Sequence, residues 1–89
     1  MYSKIVEVKN PTGLHARPAA MFIAEAKKYA SAITLHRVGE ESTINAKSMV
    51  KLLTLGICQG QQIEICAEGT DEQDAVDALI ALIEEGFDE

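Results

Sequence analysis

From Tyr2 to Lys9 apolar and polar residues alternate, with Val6 and Val8 on one side and Glu7 and Lys9 on the other, which predicts a half-buried strand. Asn10-Pro11-Thr12-Gly13 is a cluster of turn formers that ends it. From Ala16 to about Tyr29 the period lengthens, and Ala19, Phe22, Ile23, Ala26 and Ala30 fall on one stripe of a helix. Period two returns from Ala32 to Val38, with Ile33 and Leu35 inward and Thr34 and His36 outward. The polar turn Gly39-Glu40-Glu41-Ser42 leads into a short strand from Thr43 to Ala46, so that these two strands form a hairpin. Ser48 is placed to cap a helix running from Met49 to about Thr54, which Gly56 stops. Gln59-Gly60-Gln61 turns the chain into a fourth strand, Gln62 to Glu68, with Ile63, Ile65 and Ala67 on one face. A last helix begins at Thr70, with Gln73 at the offset of a capping box and Asp71, Glu72 and Asp74 in its positively polarised first turn. Its stripe is Val76, Leu79, Ile80 and Ile83; Gly86 suits the position just past a helix end, with Phe87 as the apolar contact that follows.

The resulting order, β-α-β-β-α-β-α, predicts an α+β fold with an antiparallel sheet, covered by helices on one side and open to water on the other. Residues 1–89 make one domain with nothing left for a second. A chain of this size buries one modest core and has little room for an enclosed pocket, which favours a binding or carrier module over conventional small-molecule catalysis. The helix after Ser48 adds to that preference. Met49, Val50, Leu52, Leu53, Leu55 and Ile57 surround a segment too short to hide all of them, and exposed apolar residues in a cluster mark a protein-binding patch.

Charge changes the picture next. The net charge is −6, yet residues 1–38 carry six Lys/Arg against two Glu, and residues 39–89 carry two Lys against twelve Asp/Glu. The acidic balance argues against a nucleic-acid partner, and the local excess of Arg17, Lys27 and Lys28 suits an acidic protein surface or a phosphate. No apolar run approaches the ~18 residues that span a membrane, and the alternating start is unlike the apolar segment of a signal peptide. Cys58 and Cys66 have no metal-type spacing and do not make a disulfide framework, so a cytoplasmic protein with free thiols is expected.

The chemistry concentrates in Gly13-Leu14-His15-Ala16-Arg17-Pro18-Ala19, which joins the first strand to the first helix. Pro18 suits the first helical turn, where an N–H has no intrahelical partner. His15 then lies at or beside the N-cap, where free N–H groups and the positive end of the helix dipole favour an anion. The same field disfavours a positively charged ring and keeps a nucleophilic neutral imidazole available. A phosphoryl group carried on His15 fits this position, with the N–H groups of Ala16 and Arg17 and the Arg17 guanidinium as its partners. A histidine that only caps the helix fits the position too. Met21 lies off the buried stripe one turn from Arg17, either as a stray surface residue or as an adaptable partner contact. His36 reads as an outward strand residue without a partner in the pattern. Metal binding lacks ligands near His15, and triad-type nucleophilic catalysis lacks a placed nucleophile and base.

The seven-residue stretch around His15 resembles the active-site signature of HPr, the histidine-containing phosphocarrier of the bacterial phosphoenolpyruvate-dependent phosphotransferase system. Asn45-Ala46-Lys47-Ser48 followed by Leu55-Gly56-Ile57 resembles the family's second block, and the resemblance covers nearly the whole chain. It implies an open-faced β-sandwich: a four-stranded antiparallel sheet of order 1-4-2-3 with three helices on one face. It also implies a cytoplasmic monomer that is a stoichiometric carrier rather than an enzyme and needs no cofactor or metal. Enzyme I, charged by phosphoenolpyruvate, would phosphorylate Nδ1 of His15, and the group would pass to an EIIA-type domain in sugar uptake. Arg17 would stabilise it. Ala16, Ala20, Met21, Lys27, Val50, Lys51, Leu53, Thr54 and Ile57 match the family's docking surface. Ser48 matches a serine that a dedicated kinase phosphorylates in some relatives, which adds an HPr kinase or a transcriptional regulator to the partners; its plain role is to cap the helix. The ending Ile80-Ala-Leu-Ile-Glu-Glu-Gly-Phe-Asp-Glu resembles the nitrogen-related paralogue NPr, whereas Asn45-Ala-Lys-Ser48 resembles the sugar-system form. The hairpin from Arg37 to Thr43 is slightly longer than in most sugar-system members. His15 excludes a paralogue that has lost the acceptor histidine.

Overall fold

The computed structural model describes residues 1–89. Its elements are β1 (Tyr2–Glu7), α1 (Ala16–Ala26), β2 (Ala32–Arg37), β3 (Ile44–Asn45), α2 (Met49–Leu55), β4 (Gln62–Glu68) and α3 (Glu72–Glu84), followed by a 3-10 turn at Gly86–Asp88. The strands form one antiparallel sheet in the order β1-β4-β2-β3. Val6 lies opposite Ile63, and Leu35 lies opposite Ile65 on one side and Ile44 on the other, so the register sets one apolar face across the sheet. The three helices cover that face, and the other face stays open, as the order of elements and the resemblance both predicted.

One contiguous cluster of 20 buried apolar residues fills the space between the layers. Phe22, Ile23 and Ala26 come from α1, Val76, Leu79 and Ile83 from α3, and Phe87 plugs the end beyond α3. α2 enters this core through Leu52, its one buried residue. Seven residues do not make a stable helix in isolation, so burial of Leu52, which stabilises by about 2–3 kcal/mol, is a large part of what holds α2 in place. Ser48 caps it, its Oγ accepting from the Lys51 N–H at 3.3 Å, and Gly56 ends it in the left-handed conformation (φ 67°).

Local details depart from the sequence reading. α1 ends at Ala26 rather than near Tyr29, because Lys28 and Tyr29 donate to the carbonyls of Glu25 and Ala26 in tight i to i+3 turns. Ala30 consequently leaves the stripe and is exposed. The last helix is not capped by a Thr70–Gln73 box. Asp71 is its N-cap, and the Glu72 carboxylate takes the Gly69 N–H at 3.1 Å. Asp71 instead reaches out of its own helix to accept from the N–H groups of Ala30 (2.9 Å) and Ser31 (3.0 Å) and from the Ser31 hydroxyl. It thereby ties the start of α3 to the α1–β2 connection.

These carboxylates make stability acid-sensitive. The Ser31 hydroxyl bond, with the Ala30 and Ser31 N–H groups, holds the Asp71 carboxyl below the usual range. The Lys4 ammonium does the same for Asp77, at 3.0 Å, and Asn10 and Thr12 for Glu89. A carboxyl whose folded value is depressed stabilises the fold above its unfolded value and loses that contribution as pH falls through the folded one. The urea midpoint is therefore expected to hold from neutrality to about pH 4 and then to fall. Asp71→Asn should lower the midpoint at neutrality and flatten the acid limb; an unchanged limb in that variant would count against the tie.

Candidate functional site

The β1–α1 connection is built as the turn formers require. Val8 continues the β1–β4 pairing through the Gln61 carbonyl, and Asn10 then turns inward and is buried, 2% exposed. Its side-chain amide donates to the Gly13 carbonyl at 2.9 Å, while the Gly13 N–H donates to the Asn10 carbonyl at 3.1 Å, which closes the turn from both sides. Gly13 is left-handed (φ 72°), and Leu14 next to it is fully buried with its N–H on the Ile57 carbonyl at 3.1 Å. Leu14 thus anchors the site to the segment that follows α2.

His15 is the N-cap of α1, with extended backbone (φ −131°, ψ 163°) and no hydrogen bond from its ring to the helix. The first intrahelical bond runs from the Ala19 N–H to the His15 carbonyl, at 3.4 Å. Pro18 has no N–H to offer, so the donors open at this helix end are those of Ala16 and Arg17. The ring is half-buried, and the side chain of Arg17, two residues on, is exposed. Ala16 adopts φ 52°, a left-handed conformation that costs a non-glycine residue about 1 kcal/mol. Strained backbone of this kind clusters at functional sites. His15 and Arg17 line none of the surface clefts; the site is an open helix end rather than a pocket.

α1 presents exposed Ala16 and Ala20 and half-buried Met21 along its length, with exposed Lys27 at its far cap, and the adjoining α2 presents Val50, Lys51, Leu53 and Thr54. Val50 is 74% exposed and Leu53 43%, which is the uncovered apolar surface the sequence predicted. Ile57 does not belong to that surface. It is fully buried, because the chain turns inward after Gly56 and its carbonyl is the acceptor for Leu14. Ser48 sits half-buried at the edge of the patch. His36 lies on the open face of the sheet, away from the helices, and has a partner after all: its Nε2 is 3.2 Å from Oε1 of Glu64 across the β2–β4 pair. Cys58 is exposed; Cys66 is half-buried on the open face, where burial pushes its thiol upward.

Two residues that escaped the sequence reading shape the site. Arg37, at the end of β2, donates to the carbonyls of Leu55 and Gly56 and to Gln61 and Glu40. A guanidinium there satisfies the free carbonyls at the negative end of α2 and fixes the helix against the sheet. Glu89 reaches back to the β1–α1 turn, where its carboxylate accepts from Asn10 and Thr12. Neither contact has a periodic signal; the one local hint was Arg37 three residues before Glu40.

Comparison with known proteins bears directly on this arrangement. A family model described as the PTS HPr component phosphorylation site matches residues 2–85. Phosphocarrier protein HPr of Haemophilus influenzae is 51% identical, over 93% of this chain and 95% of its own. The HPr-like protein Crh of Halalkalibacterium halodurans is 49% identical, over 94% of this chain and 98% of its own. The HPr of Thermoanaerobacter tengcongensis, 44% identical, superposes with a TM-score of 0.94 over 100% of this chain and 98% of that one. A second crystal structure of that protein, as a dimer, gives 0.77 over 100% of both chains.

Proposed function

Because the chain belongs to the HPr family of phosphotransferase-system phosphocarriers, we propose that it accepts a phosphoryl group on His15 from phospho-enzyme I and passes it to an EIIA-type domain in sugar uptake. The observation that carries this reading is the cap of α1: a half-exposed imidazole without a hydrogen bond to the helix, two open N–H groups at Ala16 and Arg17, and the exposed Arg17 side chain. Nδ1 of His15 attacks the phosphorus as the bond from phosphorus to enzyme I breaks and enzyme I leaves with the electron pair; the phosphoryl dianion then meets the two N–H donors, the positive helix end and Arg17. The two N–H groups and the helix end are fixed by the backbone before the phosphate arrives, so they need no reorganisation at the moment of transfer. Because they stand open on one side, a second protein reaches the same phosphorus. Val50 and Leu53, with Lys51, Thr54, Ala20, Met21 and Lys27 around them, form the patch on which donor and acceptor dock in turn. One domain and one chain suffice for the cycle. The chain acts as a carrier consumed and regenerated by its partners, not as an enzyme, and works in the cytoplasm.

The test is to incubate the protein with phosphoenolpyruvate and either a sugar-type or a nitrogen-type enzyme I. One acid-labile phosphate per chain is expected, mapping to His15, formed faster by the sugar-type enzyme on a species that sediments as one chain. No label with either enzyme, or a label elsewhere, overturns the carrier reading. Preference for the nitrogen-type enzyme moves the protein to the nitrogen-related relay. A second reading, a docking module regulated by phosphorylation, draws on Ser48. A phosphate in place of its hydroxyl would keep an acceptor at the helix start and add negative charge beside Val50. Partner binding that is equally tight with and without phosphate on Ser48 removes this reading.

A further inference from the structure

α2 is thinly supported for a helix that carries a docking patch. It has seven residues, and Leu52 is its one buried side chain. On the side of the β2–β3 hairpin its packing is open: a cleft runs there, lined by Lys51, Thr54 and Leu55 from α2 and by Thr43 and Ile44 from the hairpin. Arg37, at the end of β2, lines the same cleft and reaches the far end of the helix. Its Nη2 donates to the Leu55 carbonyl and, at 3.2 Å, to the Gly56 carbonyl. Its Nε donates at 3.4 Å to the Gln61 side-chain carbonyl, which also accepts from the Cys58 N–H at 2.8 Å. On the hairpin side its Nη1 donates to Oε1 of Glu40 at 2.9 Å. One guanidinium thus joins both ends of residues 55–58 to the edge of the sheet.

We propose that Arg37 is a positioning residue for the docking patch: by tying the C-terminal end of α2 to the sheet, it keeps Val50 and Leu53 in the one arrangement that both partners meet. The inference rests on the carrier reading above and adds to it a residue that sets affinity for the partners. Without the guanidinium, carbonyls at the negative end of α2 lose their donor, and a short helix held by one buried residue opens more often. A patch that is formed only part of the time binds its partners more weakly by that fraction. The chemistry after docking stays the same. His15 and its open N–H groups belong to α1, and Ile57, whose carbonyl receives the Leu14 N–H, is anchored by its own burial.

Two variants test this. Arg37→Met keeps an unbranched stem and removes every donor; Arg37→Lys keeps the charge but cannot fork across two carbonyls and Gln61. With whichever enzyme I labels the wild type, phosphorylation is followed at varied carrier concentration, well below each variant's melting temperature, and amide hydrogen exchange is measured on the free proteins. For Arg37→Met the KM for the carrier is expected to rise about tenfold, as for a patch formed about a tenth of the time, with kcat within about twofold of the parent. Arg37→Lys is expected to fall between the two, and serves alone if Arg37→Met does not fold. Exchange should quicken in α2 and stay as in the parent in β1, β4 and α3. A side chain that merely stabilised the fold would lower the melting temperature and leave KM in place. Wild-type protein that takes no phosphoryl group overturns the carrier reading and this inference together. Wild-type labelling with KM unmoved in the variants, or with kcat lowered in place of a raised KM, overturns this inference alone.

Discussion

Replacement of His15 by alanine is expected to abolish acid-labile labelling by phosphoenolpyruvate and enzyme I while leaving the fold nearly as stable as the parent. The two outcomes separate because the ring does little for the fold. It is half-exposed and makes no cap hydrogen bond, so its removal leaves no cavity and orphans no donor. The part of the cap that matters for α1, the His15 carbonyl accepting from Ala19, survives in alanine. Thermal unfolding should therefore stay within about 1 kcal/mol of the parent. The control is His36→Ala. That ring is engaged with Glu64 on the opposite face of the sheet, and its loss should leave labelling complete. Retained label in His15→Ala would place the acceptor elsewhere and remove the reading of the α1 cap as the transfer site.

Gly13→Ala is expected to be the most damaging small substitution in the site. A Cβ on Gly13 would lie 2.5 Å from the Ile57 carbonyl oxygen and 3.0 Å from the Cys58 Cα, both backbone atoms that cannot swing aside. The residue is also left-handed, at φ +72°. Strain and overlap together should cost about 2–4 kcal/mol and lower the melting temperature by about 10–25 °C. The oxygen that is struck is also the acceptor for Leu14, so the damage passes to the residue that anchors His15. Gly56→Ala tests the division. Gly56 is left-handed to a similar degree (φ +67°), but nothing lies within 4 Å of its added Cβ, so only the conformational cost of about 1 kcal/mol remains. Equal losses in the two variants would show that crowding under Gly13 is not what makes it a glycine.

Much of this was legible because it is local. The strand stripes of Val6, Ile33, Leu35, Ile63 and Ile65 follow period two. The Ser48 cap and the Gly56 stop are composition at fixed offsets, and Pro18 marks the start of α1. What escaped comes from contacts between distant segments. Asp71 reads as one of several acids in a first turn, yet its carboxylate is committed 40 and 41 residues away. That displaces the start of α3 from Thr70. Ile57 reads as one more residue of an apolar helix until the turn at Gly56 buries it. The Glu89 clasp spans 77 and 79 residues, and the buried amide of Asn10 that receives it looks, in sequence, like any turn asparagine. Periodicity reports which face of an element is apolar; it carries no information on which polar side chain crosses to another element.

The openness of the α1 end sets a limit on how long the molecule can hold what it carries. No cleft encloses His15, so under the proposed reading a phosphohistidine there would face water from the moment its donor departs, and hydrolysis would compete continuously with delivery. A carrier of this shape keeps no reserve. Its charged fraction follows the current balance between supply and demand, and it empties when supply stops. On the proposed reading, the exposure that would let two partners reach one phosphorus would also make the occupancy of His15 a running record of recent flux.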